Sequence, residues 1–204
     1  MTRLLGIVDY GMGNIQSVAN AFVALGGAPS VVGKPEEIAE CDQLVLPGVG
    51  AFASAMQVLD RRGLIEPLNQ FVSTGKPLLG ICLGMQLVAR SSQEDGEHQG
   101  LGWIDAHVVS LPARELLKIP HMGWNSVHAR KSHPLLNEFE DGSDVYFVHG
   151  YHAVCEDPDD VLLVCDYGIE FVAAYARGNV MGVQFHPEKS QTVGLRMLAN
   201  FLQL

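Results

Sequence analysis

The chain has few positive charges, and this shortage excludes some classes of partner. It carries 13 Lys and Arg against 23 Asp and Glu, which leaves a net charge of −10, and no basic stripe is present. Such a balance argues against nucleic acid or an anionic membrane surface as the main partner. We therefore expect a small-molecule substrate, with no nucleic acid and no membrane involved.

Cysteines are also scarce, and long apolar runs are missing. The four cysteines have no paired or CxxC spacing, so the sequence predicts neither a disulfide framework nor a zinc site. No apolar run approaches the roughly 18 residues of a membrane span. No basic-plus-apolar signal opens the chain. Together these shortages predict a cytoplasmic protein without a metal.

What the chain does have is enough apolar content, 48% of 204 residues, for a sizeable core. No repeat or linker interrupts it, so we expect one domain over residues 1–204. The first half alternates strand patterns with helix patterns, which predicts a mostly parallel, three-layer α/β sheet. The predicted strands are 4–8, 31–32 and 44–46, and the predicted helices are 14–25, 51–60 and 64–72.

The second half has a different pattern, with one strand after another. Successive strands without intervening helices predict an antiparallel or mixed region. A closing helix over residues 190–204 is expected to pack on the sheet. The predicted strands are 107–111, 145–148, 161–165, 171–175 and 180–185.

A lone cysteine, Cys82, stands where an apolar run changes into the start of a helix. Residues 77–81 have the composition of a buried strand, and residues 83–88 begin a helix. Cys82 then occupies the tight turn between them, flanked by Gly80 and Gly84. At such a turn the side chain projects from the top of the sheet, and the first helical N–H groups favour the thiolate. This is the pattern of a nucleophile elbow.

A cysteine in an apolar segment is more often inert core than nucleophile, so a second motif decides between the two interpretations. Another buried strand, residues 180–185, ends in His186-Pro187-Glu188. In an extended segment residues two apart share one side, so His186 and Glu188 are expected to project together. A nucleophilic thiol needs a base, and the base needs an acceptor that orients it. The two motifs together predict a Cys82–His186–Glu188 triad.

These motifs resemble the signature of the class I, triad-type glutamine amidotransferases: a Gly-x-Cys-x-Gly elbow followed far downstream by His-Pro-Glu. Within that family the chain is similar to the glutaminase subunits of imidazole glycerol phosphate synthases. The similarity runs from the first strand to the last helix and is carried by residues 9–14, 46–50, 80–86, 120–125, 146–149 and 184–190.

The resemblance implies a fold and an activity. The fold is a flavodoxin-like, three-layer α/β sandwich. The activity is hydrolysis of glutamine through a Cys82 thioester, without a cofactor. The ammonia passes to a separate (β/α)8 cyclase subunit that makes imidazole glycerol phosphate and AICAR in histidine biosynthesis. The alternatives are a related glutaminase that feeds another synthase, for pyridoxal phosphate or surface sugars, and an unreactive glutamine-binding module.

The resemblance also assigns an oxyanion hole, which accepts the negative charge of the tetrahedral intermediate. Its donors would be the backbone N–H groups of Val49 and Leu83. Gly48 and Gly50 flank Val49, so the peptide between them can rotate at low cost. We expect partner binding to drive that rotation. The alternative is an ordinary turn at a strand exit.

Substrate and partner contacts follow from the same resemblance. Glutamine is expected to contact Gly50, Gln86, Glu94 and the backbone of Gly150 and Tyr151. Gly150 stands where a hydroxyl residue is usual, so only its backbone role survives. The alternatives are that Gln86 faces solvent and that Glu94 belongs to a charged surface loop.

The partner interface is expected to include Asn14, Trp124 and Lys189. Asn14 lies in an ordinary strand-to-helix turn on the alternative interpretation. Trp124 is equally consistent with buried packing, and Lys189 with an exposed lysine that contributes little.

Two other features of the sequence have alternative interpretations, a glycine-rich turn and the remaining histidines. Gly11-Met12-Gly13 follows the first strand as a dinucleotide fingerprint does, but Gln16 stands at the third glycine position, so no nucleotide cofactor is predicted. Among the other histidines, His149 is the most plausible rival to His186 as base. His121 and His152 are expected to be structural hydrogen-bonding groups.

Overall fold

The computed structural model describes residues 3–113 and 117–204. Its strands join into one mixed sheet of thirteen strands. The strands are β1 (Leu5–Val8), β2 (Ser30–Val32), β3 (Gln43–Gly48), β4 (Leu78–Cys82), β5 (Ala89–Ser92), β6 (His98–Gln99), β7 (Ile104–Ser110), β8 (His121–Ala129), β9 (Ser143–His149), β10 (Tyr151–Cys155), β11 (Val161–Asp166), β12 (Glu170–Arg177) and β13 (Val180–Val183). The helices are α1 (Ile15–Ala24), α2 (Pro35–Glu40), α3 (Phe52–Arg61), α4 (Ile65–Ser73), α5 (Leu83–Leu87) and α6 (Gln191–Gln203).

The parallel part of the sheet has the strand order β2-β1-β3-β4-β13. Every neighbouring pair in this part is parallel. Four of these strands, β1, β3, β4 and β13, are buried along their whole length, as their near-continuous apolar sequences require. The predicted parallel sheet is confirmed. Because parallel strands end at the same edge, the residues that follow β3, β4 and β13 meet there.

Helices cover both faces of the parallel part. Leu5 and Ile7 of β1 belong to a core cluster with α1 and α6, whereas Val8 belongs to a second cluster with α2, α3 and α4. The two clusters are separated by the sheet because successive side chains of a strand point to opposite faces. The architecture is the predicted three-layer sandwich.

The second half is antiparallel or mixed, as predicted. From β13 the sheet continues through β12, β10, β7, β5 and β6, and most of these pairs are antiparallel. A branch of three strands, β11, β8 and β9, extends from β12. In this branch β8 pairs with β9 so that His121 lies opposite His149.

Several boundaries differ from the sequence prediction. The helix after the elbow is only five residues long, and β5 begins two residues after it ends. Pro35–Glu40 forms a short helix that the sequence analysis did not predict, with the proline at its first position. Within the part of the chain described by the structure, no helix is long and apolar enough to cross a membrane.

Candidate active site

Cys82 is the last residue of β4 and precedes the first residue of α5. Its backbone has φ 54° and ψ −110°, a conformation that side-chain-bearing residues rarely adopt. The flanking glycines are required by close backbone approach. A Cβ on Gly84 would lie 1.7 Å from the carbonyl oxygen of Leu46, and one on Gly80 would lie 2.6 Å from the oxygen of Gly84. The local geometry is that of the predicted elbow.

His186 and Glu188 lie at the same edge, after β13. Nδ1 of His186 is 2.8 Å from Oε1 of Glu188, and both side chains are almost fully buried. The predicted route to this contact was wrong. Pro187–Lys189 forms a 3-10 turn rather than an extended segment, and this turn brings the carboxylate back to the ring.

The backbone of this turn is fixed from two sides. The N–H of His186 donates to the carbonyl of Tyr146 at 2.9 Å. The hydroxyl of Ser190 donates to the carbonyl of His186 at 2.6 Å and accepts from the N–H of Tyr146 at 3.0 Å. Strand β9 therefore holds the imidazole in place.

The electrostatics of His186 favour its protonated form. Burial alone would lower its pKa, but hydrogen bonding to Cys82 and Glu188, with the negative charges of both groups, raises the pKa to about 9. Glu188 occupies Nδ1, which leaves Nε2 for the sulfur. The raised pKa suits His186 to hold a proton beside the sulfur.

A cavity of about 310 Å³ opens over Cys82. Ten residues to which the sequence analysis gave a role in the triad, oxyanion hole, substrate site or partner interface line it: Val49, Gly50, Cys82, Leu83, Gln86, Glu94, Gly150, Tyr151, His186 and Lys189. Pro120, Val148 and His149 complete the lining. Both residues expected to form the oxyanion hole and all five expected to contact substrate are thus brought together at the cysteine. Their roles stay predictions.

Two of the substrate residues are held by specific bonds. Gln86 does not face solvent: it is 6% exposed, and its amide nitrogen donates to the carbonyl of Tyr151 at 3.1 Å. Glu94 is half-buried, and its Oε2 accepts the N–H of Phe52, at the start of α3, at 2.6 Å. Glu94 therefore ties its loop to the segment that follows Val49 and Gly50.

The three residues expected at the partner interface lie in different settings. Asn14 caps α1 by accepting the N–H of Ser17. Trp124 is not buried packing: it is 47% exposed on β8, where its ring contacts Tyr146. The ammonium group of Lys189 lies 5.8 Å from the centre of the Tyr146 ring, at the margin of the cavity.

His149, the rival base, is committed to structural bonds. Its Nδ1 lies 2.9 Å from the carbonyl oxygen of Tyr151, and its Nε2 lies 3.0 Å from Nδ1 of His121. Burial lowers the pKa of His149 to about 3 and that of His121 to about 4, so both rings are neutral at physiological pH. A base whose nitrogens are both occupied is poorly placed to take a proton from Cys82.

Sequence analysis assigned no role to one residue that contacts the sulfur. Gln184 is fully buried between β13 and His186, and its amide nitrogen lies 3.9 Å from Sγ of Cys82. Its position, two residues before the histidine of the second motif, was the one available signal. From the sequence alone, Gln184 is simply a member of the predicted apolar strand.

Comparisons with known proteins agree with this geometry. The family model described as glutamine amidotransferase class-I matches residues 6–204. The imidazole glycerol phosphate synthase subunit HisH of Sulfurimonas denitrificans is 49% identical over 97% of each chain. The subunit of the same name from Syntrophotalea carbinolica is 48% identical over 97% of this chain and 98% of its own.

A solved structure supports the fold alone. The structure of PurLQS from Thermotoga maritima includes a chain that superimposes with a TM-score of 0.79 at 20% identity, covering 100% of this chain and 99% of its own. With a family model that spans nearly the whole sequence, and relatives at almost half identity, this chain belongs to the class I glutamine amidotransferases.

Proposed function

We propose that this chain is the glutaminase subunit of an imidazole glycerol phosphate synthase, with Cys82 as its nucleophile. The observation that carries the proposal is the meeting, in one cavity, of a cysteine on a strained elbow and a histidine whose pKa is raised by its contacts with that cysteine and with a buried carboxylate. The names of the relatives favour this synthase over those for pyridoxal phosphate or surface sugars.

In the first step, the proton of the Cys82 thiol is transferred to Nε2 of His186. The thiolate attacks the side-chain amide carbon of glutamine. The N–H groups of Val49 and Leu83 donate hydrogen bonds to the resulting oxyanion and stabilise its charge. Such donors typically lower the barrier by about 3 kcal/mol each. His186 then gives its proton to the leaving ammonia and afterwards takes one from water, which hydrolyses the glutamyl thioester to glutamate.

Glutamine is held by groups that still have free bonding capacity. Both N–H bonds of the Gln86 amide are used within the protein, so only its oxygen remains to accept from substrate. Oε2 of Glu94 is occupied by Phe52, which leaves Oε1 for the substrate ammonium. The backbone of Gly50, Gly150 and Tyr151 completes the site.

The partner is a separate (β/α)8 cyclase that binds the face carrying Trp124. On this face Met122 is 62% exposed and Trp124 is 47% exposed, and because they are two residues apart on β8 their side chains share one side of the strand. Exposed apolar groups clustered in this way are typical of protein interfaces. Lys189 and Asn14 would add polar contacts. The chain then acts as one domain, in the cytoplasm, where free cysteines such as Cys155 are stable.

Partner binding is proposed to rotate the peptide between Gly48 and Val49 and so complete the oxyanion hole. The test is a glutaminase assay of the purified chain with and without the cyclase and its nucleotide ligand. We expect slow hydrolysis alone, faster hydrolysis in the liganded complex, and transfer of the ammonia into product. Equal rates would refute the rotation, and hydrolysis without transfer would refute the assignment to this synthase.

A pair of variants tests the docking face. Trp124→Ala is expected to weaken binding of the cyclase, whereas Val154→Ala, which shortens an apolar side chain 43% exposed on β10, should not. The measurement is the dissociation constant from titration calorimetry. Equal losses in the two variants would remove β8 from the interface.

A further inference from the structure

A chain of buried amides leads from a backbone carbonyl to the nucleophile. The nitrogen of Gln86 lies 3.1 Å from the carbonyl oxygen of Tyr151 and 3.0 Å from Oε1 of Gln184. The nitrogen of Gln184 in turn lies 3.9 Å from Sγ of Cys82. Gln86 is 6% exposed and Gln184 is fully buried, so water does not compete for these bonds.

The orientation of both amides is decided by the first member of the chain. A backbone carbonyl only accepts hydrogen bonds, so Gln86 must present its NH₂ group to Tyr151. The second hydrogen of that group points at Gln184, which must therefore present its oxygen. The NH₂ group of Gln184 is then left facing Cys82. Turning Gln86 over would set its oxygen against the carbonyl oxygen of Tyr151, and turning Gln184 over would set two NH₂ groups against each other.

A second chain fixes the same carbonyl from the other side. Tyr151 also accepts the Nδ1 hydrogen of His149, so Nε2 of His149 accepts from His121. His121 in turn accepts from the amide of Asn125, which also donates to the carbonyl of Asp166. Because burial keeps both histidines neutral, each carries one donor and one acceptor, and every hydrogen in this chain has a single consistent place.

The sulfur itself has different partners in its two protonation states. As a thiol, Cys82 donates to the carbonyl of Val148 at 3.8 Å. As a thiolate, it can only accept, and its donors are then His186 and the NH₂ group of Gln184. Hydrogen bonds to a charged acceptor are shorter and stronger than those to a neutral one. The hydrogen bond from Gln184 to the sulfur therefore becomes stronger when Cys82 loses its proton.

We propose that Gln184 is a further catalytic residue, whose side-chain N–H, oriented through Gln86 by the carbonyl of Tyr151, stabilises the Cys82 thiolate. It acts together with the imidazolium of His186. Unlike the histidine, Gln184 does not transfer its proton in the reaction, so it donates to the sulfur each time the thiolate is present. The proposal rests on Cys82 being the nucleophile of the proposed function.

The test compares two buried glutamines that receive the same substitution. Gln184→Met removes the donor to sulfur while keeping the length of the side chain. Gln43→Met is the matched control. Gln43 is also buried, and its amide donates to the carbonyl of Phe201, but it lies at the end of β3 opposite to the active site. The full-length chain is alkylated with iodoacetamide across the pH range, and the rate at the Cys82 peptide is followed by mass spectrometry.

We expect the midpoint of the alkylation profile to rise by about one pH unit in Gln184→Met, which corresponds to one lost hydrogen bond to a charged group. The midpoint should not move in Gln43→Met. An unchanged midpoint in folded Gln184→Met, or the same rise in both variants, would overturn the proposal. Alkylation needs no glutamine, so this outcome is independent of whether the chain proves to be a glutaminase.

A measurement on the unsubstituted side chain covers the case in which Gln184→Met does not fold. The side-chain amide signal of Gln184 is followed by NMR during a pH titration of the wild-type chain and of Cys82→Ala. We expect the signal to move with the midpoint of the alkylation profile in the wild type and to lose that transition in Cys82→Ala. A signal that stays still in the wild type would refute the bond.

Discussion

The elbow makes an unusual prediction about stability: a change from alanine to glycine should cost much less at position 82 than at an ordinary position of the same strand. Cys82 has φ 54° and ψ −110°, where a Cβ atom is strained. Cys82→Ala keeps that strain, and Cys82→Gly removes it. Both variants lack the sulfur, so the lost contacts with His186 and Gln184 cancel in the comparison.

The magnitude follows from three terms. Strain at a sparsely populated backbone conformation costs about 1–3 kcal/mol. Against its release stand about 0.5–1 kcal/mol for the greater freedom of glycine in the unfolded chain and about 0.8 kcal/mol for the buried methyl group. Relative to the alanine variant, the glycine variant should therefore differ in stability by between about −0.8 and about +1.7 kcal/mol, whereas without strain it would always be the less stable of the two.

Ile81 provides the matched control because it precedes Cys82 on the same buried strand and is not among the residues with positive φ. At position 81 no backbone strain is released when alanine is changed to glycine. Ile81→Gly should therefore be less stable than Ile81→Ala by about 1.5 kcal/mol. Urea unfolding of the four variants gives both differences. If glycine loses as much stability at position 82 as at position 81, the elbow is not strained and the reasoning fails.

Three further predictions concern the second motif. Glu188→Gln should lower the pKa of His186 from about 9, because a neutral amide replaces the carboxylate charge; an unchanged pKa in an NMR titration would contradict the ion pair. Since the folded-state pKa of His186 is raised above 6.5, its contribution to stability is present below pH 6.5 and is lost as the pH rises to about 9. Urea unfolding should show this loss, at most about 3 kcal/mol, in the wild type and not in His186→Gln. Gly194→Ala should lower both the melting temperature and kcat, because its Cβ would lie 2.0 Å from the carbonyl of Pro187; unchanged values would show that α6 does not position the turn.

Sequence reasoning succeeded where one local pattern determines the structure. The elbow was predictable because an apolar strand, a cysteine and a glycine-flanked helix start are adjacent in the chain. The parallel and antiparallel halves were predictable because helices alternate with strands only in the first half. In the first case the evidence lies in adjacent residues, and in the second it lies in the order of the elements along the chain.

Sequence reasoning failed where the structure depends on contacts between residues that are far apart in the chain. The contact between His121 and His149 arises from the register of β8 with β9, across 28 positions. The bond between Glu94 and Phe52 joins a loop to the start of α3, 42 positions away in the chain. Gln184 was missed for the same reason: its burial is tolerable because Gln86 donates to its oxygen and Cys82 accepts from its nitrogen, and neither partner is near it in sequence.

The most direct test of the central claim is to find where glutamine becomes attached. The chain, in complex with the cyclase, is mixed with glutamine and quenched in acid, and its peptides are examined by mass spectrometry. The account predicts a glutamyl thioester on the peptide that contains Cys82 and none on those that contain Cys41, Cys155 or Cys165. Attachment to any of these three, or turnover without a thioester at Cys82 under conditions that trap one, would contradict it.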